Sequence, residues 1–332
     1  MARSCPLCDG LSLSILVSSA RLDEECRERD RFVKQRLTRP AAPQELKDLT
    51  DFFHQEQADI LICNGCKLLI RRQRATPEAH TYSKDEYDPS VIEQVYPQYL
   101  NAFRAKETPY RGLLASNARV LEIGSHYGAF LETAAEWGWN AAGVDVGKDT
   151  AQFARSKGFT VYGTEIEQCN FANDHYDAVF IWNCFEQIED PKPTLNECRR
   201  ILKPGGLLVV RTPNGLFYGL CEQLLAGPNL AAGSADLLTH AMAYENLLGF
   251  PYLYGYSKST LERLISTYSF TLEGTLNSEL ITLPLPESPE WVEQEEREIN
   301  SEMRLLARAV LRDTGGELTG PWIEIWFRST SA

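Results

Sequence analysis

The sequence has no apolar run approaching 18 residues, so its pattern holds no membrane-spanning helix. It has no excess of basic charge either. Lys and Arg total 33 against 46 Asp and Glu, a formal charge of −13, and such a field repels a polyanion at long range. The one basic cluster, Arg71-Arg72-Gln73-Arg74, reads as an exposed strand end or linker. Leu11 to Val17 is a short apolar patch without a basic leader or a small-residue cleavage site, unlike a signal peptide. These absences predict a cytoplasmic protein with neither nucleic acid nor membrane as partner. At 332 residues and 43% hydrophobic content, the chain can bury a full core and more than one domain.

Four of the nine cysteines form two C-x-x-C pairs, Cys5/Cys8 and Cys63/Cys66. In a reducing compartment such pairs indicate a metal and not disulfides. Two knuckles supply the four thiolates of a closed, structural zinc site. In the first, Gly10 is expected to take the unusual backbone angle after Cys8. Cys184 and Cys198 fall in apolar surroundings and read as small hydrophobes.

Residues 1–75 therefore read as a zinc-ribbon domain with a helical insertion. Arg21 to Gln35 is dense in both charges, and Leu46, Leu49, Phe52 and Phe53 recur at near-helical spacing. The 20–58 insertion is a cover or a homo-oligomer contact. Residues 76–112, with Tyr82, Tyr87, Tyr96, Tyr99 and Tyr110, read as a linker that packs on the next domain. Residues 113–332 alternate strands and helices, the pattern of a parallel sheet covered on both faces. Strands are expected at 119–123, 140–145, 159–163, 176–182 and 206–211, with helices near 128–137, 149–157 and 191–202. Residues 214–257 are less regular and read as an acceptor-side lid. A long amphipathic helix from Ser288 then leads to a strand at Trp322–Phe327 on the sheet edge.

The run Arg119 to Leu131 reads as strand, glycine-bracketed turn and helix start. Such a turn leaves backbone N–H groups free for a polar ligand. A dinucleotide turn would be G-x-G-x-x-G, the second glycine making room for a pyrophosphate. Here Gly124-Ser125-His126-Tyr127-Gly128 lacks that glycine, and Glu122 would repel a pyrophosphate, so a nicotinamide dehydrogenase is disfavoured. An acid at Glu122 suits an ammonium, and Asp145, ending Gly143-Val144-Asp145, suits a ribose diol. S-adenosylmethionine carries both groups.

With these motifs, Tyr176-Asp177-Ala178-Val179-Phe180, Glu186-Gln187-Ile188-Glu189-Asp190-Pro191 and Ile201 to Val210 (Leu202-Lys203-Pro204-Gly205-Gly206 within it), the second part resembles a class I S-adenosylmethionine-dependent methyltransferase. The resemblance covers roughly residues 113–332 and implies a Rossmann-like seven-stranded α/β domain. The N-terminal cysteine ribbon and tyrosine-rich segment resemble those of bacterial methyltransferases acting on sugars and related small metabolites. The resemblance implies that Glu122, Gly124, Ser125, His126 and Gly128 shape the methionine end of the pocket. It places Asp145 at the ribose, Val146 and Glu165 at the adenine, and Asn183 on the far side of the cofactor. The implied product is S-adenosylhomocysteine and the implied acceptor a small molecule, a sugar or sugar nucleotide methylated on O or C. Two departures stand out: Glu186-Gln187 replaces the family's frequent Glu-His, and His126 replaces its middle glycine.

An acceptor hydroxyl or carbon acid needs a base. Glu186 is the first candidate, with His126 and Tyr252 in support; His240 and Tyr254 are weaker ones. The competing expectation is a zinc-ribbon adaptor or scaffold whose cofactor-binding domain is catalytically silent.

Overall fold

The computed structural model describes residues 4–37, 58–72, 89–228, 230–279, 289–311 and 317–330. The expected helical stretch at Leu46 to Phe53, and Tyr82 and Tyr87, lie outside the described residues.

Strand β1 (Leu13–Val17) leads into helix α1 (Ser19–Gln35), whose first turn is capped by the Ser18 hydroxyl accepting from the Arg21 N–H. Strands β2 (Ile60–Cys63) and β3 (Leu69–Arg71) flank the second cysteine turn. Helix α2 (Pro89–Arg104) occupies much of the segment read as a linker. Then come β4 (Arg119–Ile123), α3 (Ala129–Glu136), β5 (Asn140–Val144), α4 (Lys148–Ser156) and β6 (Thr160–Tyr162). Strand β7 (Tyr176–Trp182), helix α5 (Pro191–Ile201) and strand β8 (Leu202–Pro213) complete the alternation. Asp190 caps α5 through the Lys192 N–H and Pro191 opens it, as the sequence punctuation predicts.

The segment expected to be irregular holds two helices, α6 (Gly215–Leu225) and α7 (Ala232–Tyr244), before the short strand β9 (Tyr254–Gly255). Helix α8 (Lys258–Ile265), strand β10 (Phe270–Ser278), helix α9 (Glu290–Leu311) and strand β11 (Trp322–Ser329) follow.

The chain forms two compact units. One gathers residues 1–78, 213–261 and 276–323; the other gathers 79–212, 262–275 and 324–332. In the first, strands pair in the order β1-β2-β3-β9, and Leu69 and Ile70 of β3 lie opposite Gly255 and Tyr254. The cysteine ribbon and residues 213–261 thus share one sheet. They also share one core, in which Leu22, Ile60 and Leu69 pack with Phe217, Met242 and Leu248. Arg71 adds hydrogen bonds to the Tyr252 and Gly249 carbonyls at 3.2 and 2.7 Å.

In the second unit, the seven strands run β10-β11-β8-β7-β4-β5-β6. Parallel pairing joins β8 to β7, β7 to β4, β4 to β5 and β5 to β6. The strand expected at the sheet edge, β11, lies inside, between β8 and β10. Its Trp322, Ile323, Glu324 and Ile325 are all buried, which an edge strand with one solvated face would not show. From β4 the chain winds outward through β5 and β6, then returns to β7 and winds the other way through β8. The order therefore reverses between β4 and β7, where doubly wound sheets open a crevice at the strand carboxyl ends.

Candidate active site

The crevice begins with the turn after β4. Gly124 and Gly128 adopt φ of 74° and 80°, in the left-handed region that favours glycine. A Cβ on Gly124 would stand 2.6 Å from the Cys184 Sγ, so this position needs glycine for space as well as for angle. His126 sits between them at φ 46°, a conformation uncommon for a residue with a Cβ. Its ring lies 3.6 Å from that of Tyr127 and meets Tyr99 of α2 edge-on at 5.8 Å. Burial pulls the imidazole pKa down to about 4 against the opposing pull of Asp145, so the ring is neutral at pH 7.

Glu122, the penultimate residue of β4, is 2% exposed, and its Oε2 meets no hydrogen-bond partner among the described residues. Ser125 Oγ is likewise buried without a partner. Burial, reinforced by Asp145, holds the Glu122 carboxyl well above its ordinary range. A buried carboxyl with an unmatched oxygen is costly unless something completes it.

Asp145 follows β5. Its Oδ2 accepts the His126 N–H at 2.6 Å, and its Oδ1 accepts the Gly147 N–H and the Thr150 hydroxyl, both at 2.8 Å. The acid thus ties the glycine turn to the start of α4. Val146 and Tyr162 beside it are 49% and 38% exposed, an apolar edge next to a carboxylate. The Asp145 N–H donates to the Tyr162 carbonyl at 2.9 Å, which keeps the two together. Glu165 stands on the surface after β6 and accepts from the Gln168 amide at 3.3 Å.

The turn after β7 carries Asn183, Cys184 and Glu186. Asn183 has φ 56° and donates its N–H to the Arg211 carbonyl at 3.0 Å. Glu186 is 1% exposed, and its Oε2 meets no hydrogen-bond partner among the described residues. Burial raises its pKa to about 7, while hydrogen bonds from its own backbone and the Thr212 side chain, and the Arg211 charge, pull the other way. A carboxyl poised near 7 suits a general base.

Glu122, Gly124, Ser125, His126, Gly128, Asp145, Val146, Glu165, Asn183 and Glu186 all belong to the second unit, at the ends of β4 to β7. Tyr252 belongs to the first. Its hydroxyl donates to the Asn246 carbonyl at 2.6 Å, and its ring packs on Phe250 and Trp322. His240 faces Glu295 at 3.8 Å in that same unit. Arg211, Thr212 and Tyr162 join the site without having been singled out. The legible signal for Arg211 was a cation closing the apolar run Leu207 to Val210.

In the first unit the four thiols of Cys5, Cys8, Cys63 and Cys66 lie within 4.8 Å of one another. Cys5 and Cys66 stand 3.5 Å apart, and Cys8 and Cys63 3.6 Å. Ligands at about 2.3 Å on a tetrahedron are separated by roughly 3.8 Å, so the donor set fits a four-thiolate centre. The unusual backbone angles fall on Asp9 (φ 55°) and Lys67 (φ 68°), and not on Gly10. Gly10 serves by proximity instead: a Cβ there would stand 3.2 Å from Cys8 Sγ.

A sequence family described as a methyltransferase domain matches residues 93–273, more than half of the chain. The chain belongs to this family. It carries an S-adenosylmethionine-dependent methyltransferase domain on a Rossmann-like sheet. Among curated relatives, the ubiquinone biosynthesis O-methyltransferase of Cereibacter sphaeroides is 33% identical over 130 residues, 37% of this chain and 50% of that protein. The Vibrio cholerae protein of the same name is 30% identical over 130 residues, covering 37% and 51%. The chain spans about half the length of the curated relatives it matches. Among solved structures, a SAM-dependent methyltransferase from Archaeoglobus fulgidus is 21% identical with a TM-score of 0.45, covering 73% of this chain and all of that one.

Proposed function

We propose that the protein transfers a methyl group from S-adenosylmethionine to a small-molecule acceptor, with a sugar or sugar nucleotide as the leading class. The observation that carries the donor assignment is Glu122, whose buried, unmatched oxygen beside a left-handed glycine turn suits an ammonium group. Around it, Gly124, Ser125, His126 and Gly128 would line the methionine end. Asp145 would take the ribose hydroxyls, since a carboxylate has about four acceptor positions and three are occupied. Val146, with Tyr162, would flank the adenine, with Glu165 near its amino group and Asn183 on the far side.

When bound, S-adenosylmethionine supplies an electrophilic methyl group on a sulfonium centre. The chain's own residues position the acceptor, keep water out and remove its proton. Glu186 is the proposed base, buried and poised near neutral pH. The neutral His126 and the Tyr99 and Tyr127 rings form a wall at the methionine end. Tyr252 is not assigned a proton-transfer role, because its hydroxyl already donates to a carbonyl.

The sugar assignment rests on the ribbon and tyrosine-rich arrangement. The relatives named for ubiquinone biosynthesis favour a second reading, O-methylation of a hydroxylated ring. Incubation with S-adenosylmethionine and a panel of sugar nucleotides and hydroxylated quinone precursors tests both by a mass gain of one CH2 unit. Cofactor binding without turnover across the panel would instead support a silent scaffold domain. The Cys5, Cys8, Cys63 and Cys66 cluster is proposed to hold a structural zinc ion with no open position for chemistry. Metal analysis at one zinc per chain, lost in a Cys63→Ser variant, is the expected result.

A further inference from the structure

We infer that Arg211 is a positioning residue for the acceptor-side edge of the site, fixing Asn183 and the turn that carries Glu186 against β8. This rests on the assignment of Asn183 and Glu186 to that edge. Arg211 ends the run Leu207-Leu208-Val209-Val210, is 1% exposed, and lies opposite Trp182 in the parallel β7–β8 register. Its Nη1 donates to Asn183 Oδ1, while its carbonyl accepts the Asn183 N–H at 3.0 Å. One residue thus grips Asn183 by side chain and backbone together, in a left-handed conformation that asparagine adopts more readily than most. The next residue, Thr212, hydrogen-bonds the Glu186 carboxyl. Two successive positions of β8 therefore hold two positions of the turn after β7.

Behind this contact, Arg211 Nε lies 3.3 Å from Glu324 Oε1 on β11. Glu324 also accepts from Lys106 and from the Tyr110 hydroxyl, and Lys106 Nζ stands 5.7 Å over the Trp182 ring. Lys106, Arg211 and Glu324 thus bring two cations and one acid into the core. A buried ion pair is a poor source of stability, often equalled by apolar residues of the same size. Its value here is directional. Arg211 holds the turn and also presents a cation that favours the ionised form of Glu186, opposed by burial.

The test follows the Glu186 carboxyl by 13C NMR titration in the cofactor-free full-length protein, with Glu186→Gln to assign the resonance. Arg211→Met is expected to raise the Glu186 midpoint by about one unit from its value near 7, because a nearby cation is lost. A network that merely supports the core would loosen in this variant, admit water, and move the midpoint down toward the ordinary carboxyl range. A downward or absent shift in folded Arg211→Met overturns the inference. If that variant fails to fold, Arg211→Lys, which keeps a cation without the planar guanidinium, is expected to shift the Asn183 and Glu186 backbone amide resonances while holding the midpoint near 7; unmoved amides overturn the inference. Failure of the parent assignment has a separate signature, undiminished methyl transfer by Glu186→Gln, which leaves these titrations unaffected.

Discussion

Glu122 is the residue on which the donor site turns. Burial and then Asp145 hold its carboxyl well above the ordinary carboxylate range. Pairing with an ammonium would favour the ionised form and release a proton. Affinity for S-adenosylhomocysteine should therefore strengthen as pH rises above the ordinary carboxylate range, with proton release visible by calorimetry in buffers of different ionisation enthalpy. Glu122→Gln should lose roughly 10- to 100-fold in affinity, the scale of about 1.5–3 kcal/mol for a hydrogen bond to a charged group, and should lose the pH dependence.

Gly124 makes a separate prediction. With φ at 74° and Cys184 Sγ 2.6 Å from any added Cβ, Gly124→Ala should cost about 1–3 kcal/mol in urea unfolding from backbone strain and overpacking. The neighbouring turn supplies a kinetic test. Glu186 must be ionised to accept a proton and its pKa is raised to about 7, so turnover of a hydroxyl acceptor should fall as pH drops through 7. In Glu186→Gln the residual rate should show no such limb.

At the level of elements, the strands of the second unit were legible because a strand covered on both faces is written as a short apolar run between turn signals. The runs 119–123 and 176–182 coincide with observed strands residue for residue. Helices α6 and α7 were not legible. Gly215 and Gly219 lower the intrinsic propensity of α6, Gly233 does so for α7, and apolar residues on most faces blur the 3.6-residue period. Pro97 and the aromatic residues likewise concealed α2 within an apparent linker.

The strand expected at the sheet edge, returned there by the long amphipathic helix, instead lies between β8 and β10 with Glu324 buried. Only the fold brings Lys106, Arg211 and Tyr110 to it, a long-range pairing that no local pattern encodes. The glycine turn, its two acids and the cysteine pairs were legible, because each needs particular residue types at short spacing.

The two units put different demands on the whole molecule. The four-cysteine cluster shares a sheet and a core with residues 213–261, since β9 pairs with β3 and Phe217 and Met242 pack with Leu69. Metal at that cluster should therefore stabilise more than the ribbon. Chelation, or Cys63→Ser, should lower the thermal midpoint and raise amide exchange across α6, α7 and β9 as well as β1 to β3. Exchange confined to β1 to β3 would show that the shared sheet does not couple them. Cofactor affinity, by contrast, should depend on the second unit's turn residues.

The central claim is that the acidic glycine turn after β4 binds S-adenosylmethionine for transfer. Isothermal calorimetry of the purified full-length protein with S-adenosylmethionine and S-adenosylhomocysteine, repeated on Glu122→Gln, tests it most directly. The account predicts one site per chain for both ligands and at least about tenfold weaker binding by the folded variant. No binding to the wild-type protein, or equal affinity in Glu122→Gln, would contradict it.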